Sequence, residues 1–157
     1  IRHSRLFKTV YGYEINSASI DDARKHGFSD KVMLKDVTEH LFRPAFPKST
    51  MASCYYLFEH LQDGQVVEVC LNMMCAADMN LIKLTTSDDL NYIKDPSHLN
   101  PKLPSEWNAL LQSVYVAQGW VRYSWHVREW CFVRKSVVAR LKNAQILAIQ
   151  AVNQAWL

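Results

Sequence analysis

Glycine is nearly missing from this chain, and that scarcity limits its backbone more than any motif it contains. Four glycines, Gly12, Gly27, Gly64 and Gly119, serve 157 residues. Left-handed backbone is cheap only for glycine, so sharp helix stops are predicted at Gly27, Gly64 and Gly119. A glycine-rich loop cradling a phosphate is excluded for the same reason. The remaining composition, 49% hydrophobic and 21% charged with five prolines, excludes collagen-like, low-complexity and disordered chains and demands a real core. One domain over residues 1–157 is the expectation for this length. No apolar run approaches the roughly 20 residues that span a bilayer, so no membrane span is expected.

Apolar spacing then sets the elements. Ser19 with Ile20, Asp21 and Asp22 starts a short helix that Gly27 stops. Ser29-Asp30 caps a second through Met33, Leu34, Val37 and Leu41, ending before Arg43-Pro44. Met51, Cys54, Tyr55, Phe58 and Leu61 form a third helical stripe, capped at Ser49 or Thr50 and ended by Asp63-Gly64. Val67, Cys70, Leu71, Met74 and Ala77 predict a fourth, with a strand as the alternative over its β-branched first half. Pro96, Pro101 and Pro104 forbid a long element across 85–104, which reads as a linker or insertion. Ser105 caps a helix through Trp107, Leu110, Leu111, Val114 and Tyr115 that stops at Gly119, and residues 136–157 carry the longest stripe. The expected fold is mostly α, antiparallel helical hairpins or an irregular helical bundle, with room for one short N-terminal strand within residues 5–15.

Three glycines share one context, an amphipathic segment on either side, spaced by 37 residues from Gly27 to Gly64 and by 55 from there to Gly119. The first spacing is close to a helical-hairpin repeat, and the second becomes comparable once the proline-rich stretch is discounted. Tyr55–Val66 and Trp107–Val121, the latter with Trp-Asn-Ala-Leu before its glycine turn, resemble the first helix and turn of pentatricopeptide or tetratricopeptide hairpins. The resemblance covers about a third of the chain. It implies stacked helical hairpins that bind protein or RNA.

The net charge of +3 is too small to argue a nucleic-acid partner, but its distribution is uneven. Residues 1–104 hold 12 basic and 13 acidic side chains; residues 105–157 hold six basic against Glu106 and Glu129. Trp120–Lys135, WVRYSWHVREWCFVRK, concentrates aromatic rings and cations, a mixture used both at protein interfaces and on single-stranded nucleic acid. As a helix its arginines scatter around the axis; as a strand Arg122, Arg128 and Arg134 share one face. Core packing of the rings with extended arginines is the plainer alternative. Trp120, Arg122, Trp125, Arg128, Trp130 and Arg134, with Trp156 on the last helix, are the candidate partner-binding residues.

Residues for chemistry do not assemble into a motif. Cys54, Cys70, Cys75 and Cys131 lie in apolar segments without framework spacing and read as reduced, buried thiols. No Cys-x-x-Cys or His-x-x-x-His pair suggests a metal, no cofactor is indicated, and no catalytic residue can be named. A cysteine with His60 or His126 would make a nucleophile pair only if the fold joined them. Glu39-His40 and Glu59-His60 fall at the ends of predicted helices, where the dipole favours His, and Asp88-Asp89 suits a helix start. These readings give a non-enzymatic structural or adaptor subunit of a larger assembly, bound to other protein subunits. The alternatives are an RNA-binding helical-repeat protein of a ribosome-like particle and an enzyme whose site the sequence does not disclose. The Ile1-Arg2-His3 start suits a processed mitochondrial protein, and an intracellular, mitochondrial setting is the expectation.

Overall fold

A computed structural model describes residues 11–27, 32–39, 48–49, 51–123 and 128–138. The chain divides into two compact units, residues 1–37 with 139–157, and residues 38–138.

The first unit contains a β-α-β element. Strand β1 (Gly12–Glu14) pairs in parallel with β2 (Val32–Leu34), and helix α1 (Ser17–Lys25) connects them. Asn16, rather than Ser19, caps α1 by accepting the Ala18 N–H at 2.9 Å. Gly27, at φ +81°, ends it as the sequence predicts. The predicted helix through Met33, Leu34 and Val37 is instead strand β2 and a turn. A β-branched residue and two apolar neighbours satisfy either element, and pairing with β1 decides. Leu41 lies outside the described residues.

The second unit is a four-stranded mixed sheet flanked by helices. Its strands are β3 (Ala52–Tyr55), β4 (Met79–Lys83), β5 (Trp120–Arg122) and β6 (Glu129–Arg134), in the order β3-β4-β6-β5. Helix α2 (Asp63–Ala76) carries the crossover from β3 to its parallel neighbour β4. After β4 come a short helix α3 (Leu90–Lys94), helix α4 (Pro104–Ala117) and the β5-β6 hairpin, whose second strand runs antiparallel to both β4 and β5. The four-residue α5 (Lys135–Val138) follows; the rest of the helix expected over 136–157 lies outside the described residues.

This α/β architecture overturns the mostly helical fold. The clearest error is the stripe Met51–Leu61. Ala52–Tyr55 form β3 in register with Asn80–Lys83, and Phe58–His60 form a single 3-10 turn. Phe58 and Leu61 still reach the core, so their spacing reports burial but not helix. Gly64 therefore lies in the first turn of α2 and ends nothing. Strand β4 escapes notice because its first four residues are buried, which removes the alternation that marks a strand. Helix α4 matches expectation in its extent but not in its cap: Leu103 rather than Ser105 is the N-cap, Pro104 occupies the first turn, Glu106 Oε2 accepts the Leu103 N–H at 2.7 Å, and Gly119 at φ +76° follows the end. Its Trp107, Leu111 and Tyr115 are fully buried, and the Tyr115 ring stacks on Phe132 of β6 at 4.0 Å. All four cysteines are free; Cys70 and Cys131 are buried, where desolvation pushes their thiols up to about 12, but Cys75 is exposed.

Candidate metal centre

Strands β3 and β4 are parallel neighbours, so the loops leaving their carboxyl ends emerge on the same edge of the sheet, where α/β folds place ligands. The loop after β3 supplies Glu59 and His60, and the connection after β4 supplies His98. One ligand atom from each lies within 4.8 Å of the other two.

The chain enters this loop through Tyr56, whose φ of 53° is unusual for a bulky residue and turns the backbone off the strand. Glu59 is fully buried. Its Oε1 accepts the Thr85 N–H at 3.0 Å, and its Oε2 has no partner among the described residues. The two histidines are oriented from one segment. His60 Nδ1–H donates to the Ser97 carbonyl at 3.1 Å and lies 3.0 Å from Ser97 Oγ; His98 Nδ1–H donates to the Tyr92 carbonyl at 3.0 Å. Carbonyls only accept, so each imidazole carries its proton on Nδ1 and leaves the Nε2 lone pair for a cation. Such an outer hydrogen bond is the usual support of a metal-ligating histidine.

Asp95 Oδ2 stands 3.7 Å from His98 Nε2, and its other oxygen accepts from the Ser97 backbone and hydroxyl. Those Ser97 hydrogen bonds, foremost, hold the Asp95 carboxyl below its usual range. The Tyr92 ring stacks on His98 at 4.6 Å; burial first and the neighbouring Glu59 second push its hydroxyl up. That hydroxyl is a second buried atom without a partner among the described residues. Two imidazoles, a carboxylate with a free oxygen and an adjacent second carboxylate make a donor set suited to a divalent cation such as Mn²⁺, Fe²⁺, Co²⁺ or Zn²⁺.

The sequence-predicted contact residues lie elsewhere. Trp120 and Trp130 are core residues of the sheet. Arg122 donates to the Asn108 side chain, Arg128 pairs with Asp88 at 3.5 Å and with Asp89, and Arg134 pairs with Asp78 at 3.0 Å under the Trp120 ring. The structure thus brings Arg122, Arg134 and Trp120 together on one hairpin without joining them to the centre. Trp125, His126 and Trp156 lie outside the described residues. Asp89 caps α3 through the Asn91 N–H at 2.8 Å, the helix-start role expected of it. Glu59-His60 stands out as a pair in the sequence, but a helix C-terminus there is a sufficient structural reason for it, and only the turn after β3 places it beside His98. The available signal was a Glu-His dipeptide following a short β-branched-poor apolar run, with a further histidine between two prolines.

The fold has known counterparts. The small RNA methyltransferase HEN1 superposes with a TM-score of 0.67 at 9% identity, over 81% of this chain and 20% of HEN1. The magnesium protoporphyrin IX methyltransferase ChlM from Synechocystis PCC 6803, solved with bound SAH, gives 0.58 at 15% identity over 80% of this chain and 64% of ChlM. Its SAM-bound form gives 0.52 at 13% identity over 80% and 59%. The chain therefore spans a fifth of HEN1 and less than two thirds of ChlM. No protein-family model and no curated protein matches it. At these identities the likeness establishes a methyltransferase-type α/β fold. It replaces the pentatricopeptide or tetratricopeptide resemblance, and the non-enzymatic adaptor and RNA-binding helical-repeat readings fall with the helical fold that supported them. Nothing in it supports an organellar assembly. No helix among the described residues is long and apolar enough to cross a membrane.

Proposed function

We propose that the chain is the catalytic core of an S-adenosylmethionine-dependent methyltransferase that uses a divalent cation at Glu59, His60 and His98 to methylate a hydroxyl group of RNA. The observation that carries this reading is the convergence of those three side chains at the carboxyl edge, with Glu59 Oε2 buried and unpartnered. A buried carboxylate oxygen without a partner is costly, and a cation is the ligand that satisfies it. The likeness to ChlM, solved with bound SAM, supports the methyl donor, and the likeness to a small RNA methyltransferase supports the substrate class.

When bound, the cation supplies Lewis acidity that makes a substrate hydroxyl acidic, and the sulfonium supplies an electrophilic methyl group. The chain's own part is positional. Glu59, His60 and His98 would hold the ion, and the Tyr92 ring packs against one face of His98. Transfer then forms an O–CH₃ bond as the S–CH₃ bond breaks, leaving a neutral thioether and releasing the hydroxyl proton to solvent.

Metal-stripped full chain titrated with Mn²⁺ should bind one ion, and transfer of radiolabelled methyl from S-adenosylmethionine to short RNA should require that ion. His98→Ala should lose both. Methyl transfer indifferent to chelation, or no Mn²⁺ binding, would overturn the proposal.

A further inference from the structure

The two loops that form the centre are separated in sequence by α2 and β4, and one buried side chain ties them together. Asn100 follows His98 by two residues and is 6% exposed. Its Nδ2 donates both protons across the gap, to the Leu61 carbonyl at 2.9 Å and to Asp63 Oδ1 at 2.9 Å, while its Oδ1 accepts from Lys102 Nζ. The backbone repeats the attachment: the Leu99 and Asn100 N–H groups both donate to the Glu59 carbonyl, at 2.8 and 3.1 Å. Every polar atom of the Asn100 amide is thus used, and every bond it makes across the gap ends within four residues of Glu59 or His60.

We infer that Asn100 is a positioning residue for the cation site, clasping the His98 segment against the Glu59-His60 turn so that the three ligand atoms stay together. The inference rests on the metal reading above. Lys102 locks the clasp from outside, bridging Asn100 Oδ1 and Asp63 Oδ1 (2.7 Å to the latter) while its ammonium sits 5.4 Å from the Trp107 ring centroid. Those hydrogen bonds from Lys102 and Asn100 also hold the Asp63 carboxyl below its usual range. The amide is specific to the task. An aspartate at position 100 has the same shape but cannot donate to the Leu61 carbonyl, and it would face the Asp63 carboxylate with like charge.

The test measures Mn²⁺ affinity of the full chain by electron paramagnetic resonance and the metal-free melting temperature in parallel. Asn100→Asp should weaken Mn²⁺ binding by about 10-fold, the low end of the range for losing a ligand's own hydrogen-bond partner because Asn100 acts one step further out, and broaden the bound-ion spectrum. Lys102→Met, at a partly exposed position that threatens folding less, should weaken binding several-fold with a metal-free melt close to wild type. A purely structural role would lower the melts and leave the affinity and spectrum of the folded fraction unchanged, and that result in Lys102→Met and folded Asn100→Asp would overturn the clasp. Wild-type chain that binds no Mn²⁺ would overturn the metal reading and the clasp together, whereas wild-type binding with unaltered variants removes the clasp alone.

Discussion

The β5-β6 hairpin and the carboxyl edge of β3 and β4 both gather charged and aromatic side chains, but among the described residues only the second brings two imidazoles and a carboxylate to one point. On the hairpin each described guanidinium has an oxygen partner, from Asn108, Asp88 and Asp89, or Asp78 and the Met74 carbonyl, and Glu129 pairs with Lys83 at 2.9 Å. The unpartnered atoms there include Trp130 Nε1 and Arg122 Nε, which are donors. At the carboxyl edge the unpartnered atoms are oxygens, Glu59 Oε2 and Tyr92 Oη, beside imidazoles whose Nδ1 protons are already engaged. A cation satisfies lone pairs and does nothing for orphaned donors. Incomplete bonding alone therefore does not separate the two regions; what sets the carboxyl edge apart is that its buried oxygens stand beside two imidazoles whose Nε2 lone pairs are left over.

The largest effect that tests this contrast is Trp130→Ala. The side chain is fully buried, and truncating it should cost about 3–5 kcal/mol, read from the urea midpoint of the metal-free chain. A midpoint matching wild type would show that the hairpin is surface after all and return it to contention as a contact site.

Glu59→Gln comes next and should separate stability from binding. Its Oε1 can still accept the Thr85 N–H, and a neutral amide costs less to bury than a carboxylate lacking a partner, so the metal-free chain should become about 1 kcal/mol more stable. In Mn²⁺ at one hundred times its dissociation constant, wild type should gain about 2.7 kcal/mol and the variant almost nothing. A variant that is less stable without metal, or that gains as much with it, would show that Glu59 is an ordinary core group.

The same contrast explains what could be read from the sequence. Helix α4 and the stops at Gly27 and Gly119 were legible because a fourteen-residue amphipathic run and a left-handed glycine are local signals. The strands were not, since β3 and β5 have four and three residues, and burial removes alternation from β4 and β6. A helix through Met51–Leu61 makes Glu59-His60 a helix end and leaves no parallel pair with β4. The centre goes with it, because only that pairing brings the turn after β3 beside the segment holding His98 and Asn100. The cap at Asp89 is legible because it is a local bond to the Asn91 N–H, whereas the pairing of Asp88 and Asp89 with Arg128 is a long-range contact that no local signal carries.

The smallest effect tests the register of that correction with one residue type at two places. Gly119 leaves α4 at φ +76° and passes the chain into the hairpin, so Gly119→Ala forces a side chain into left-handed backbone and should cost about 1–2 kcal/mol. Gly64 stands in the first turn of α2, behind the carboxyl edge, with nothing within 4 Å of where a Cβ would be and no positive φ. Alanine there meets no obstacle, suits a helix better and restricts the unfolded chain, so Gly64→Ala should stabilise by about 0.5–1 kcal/mol. Opposite signs in paired melts would place the start of α2 at Asp63 and leave Glu59 and His60 in their 3-10 turn, outside any α-helix. If both substitutions destabilise alike, Gly64 ends a helix through Met51–Leu61, β3 is lost, and the pairing that assembles the metal centre is lost with it.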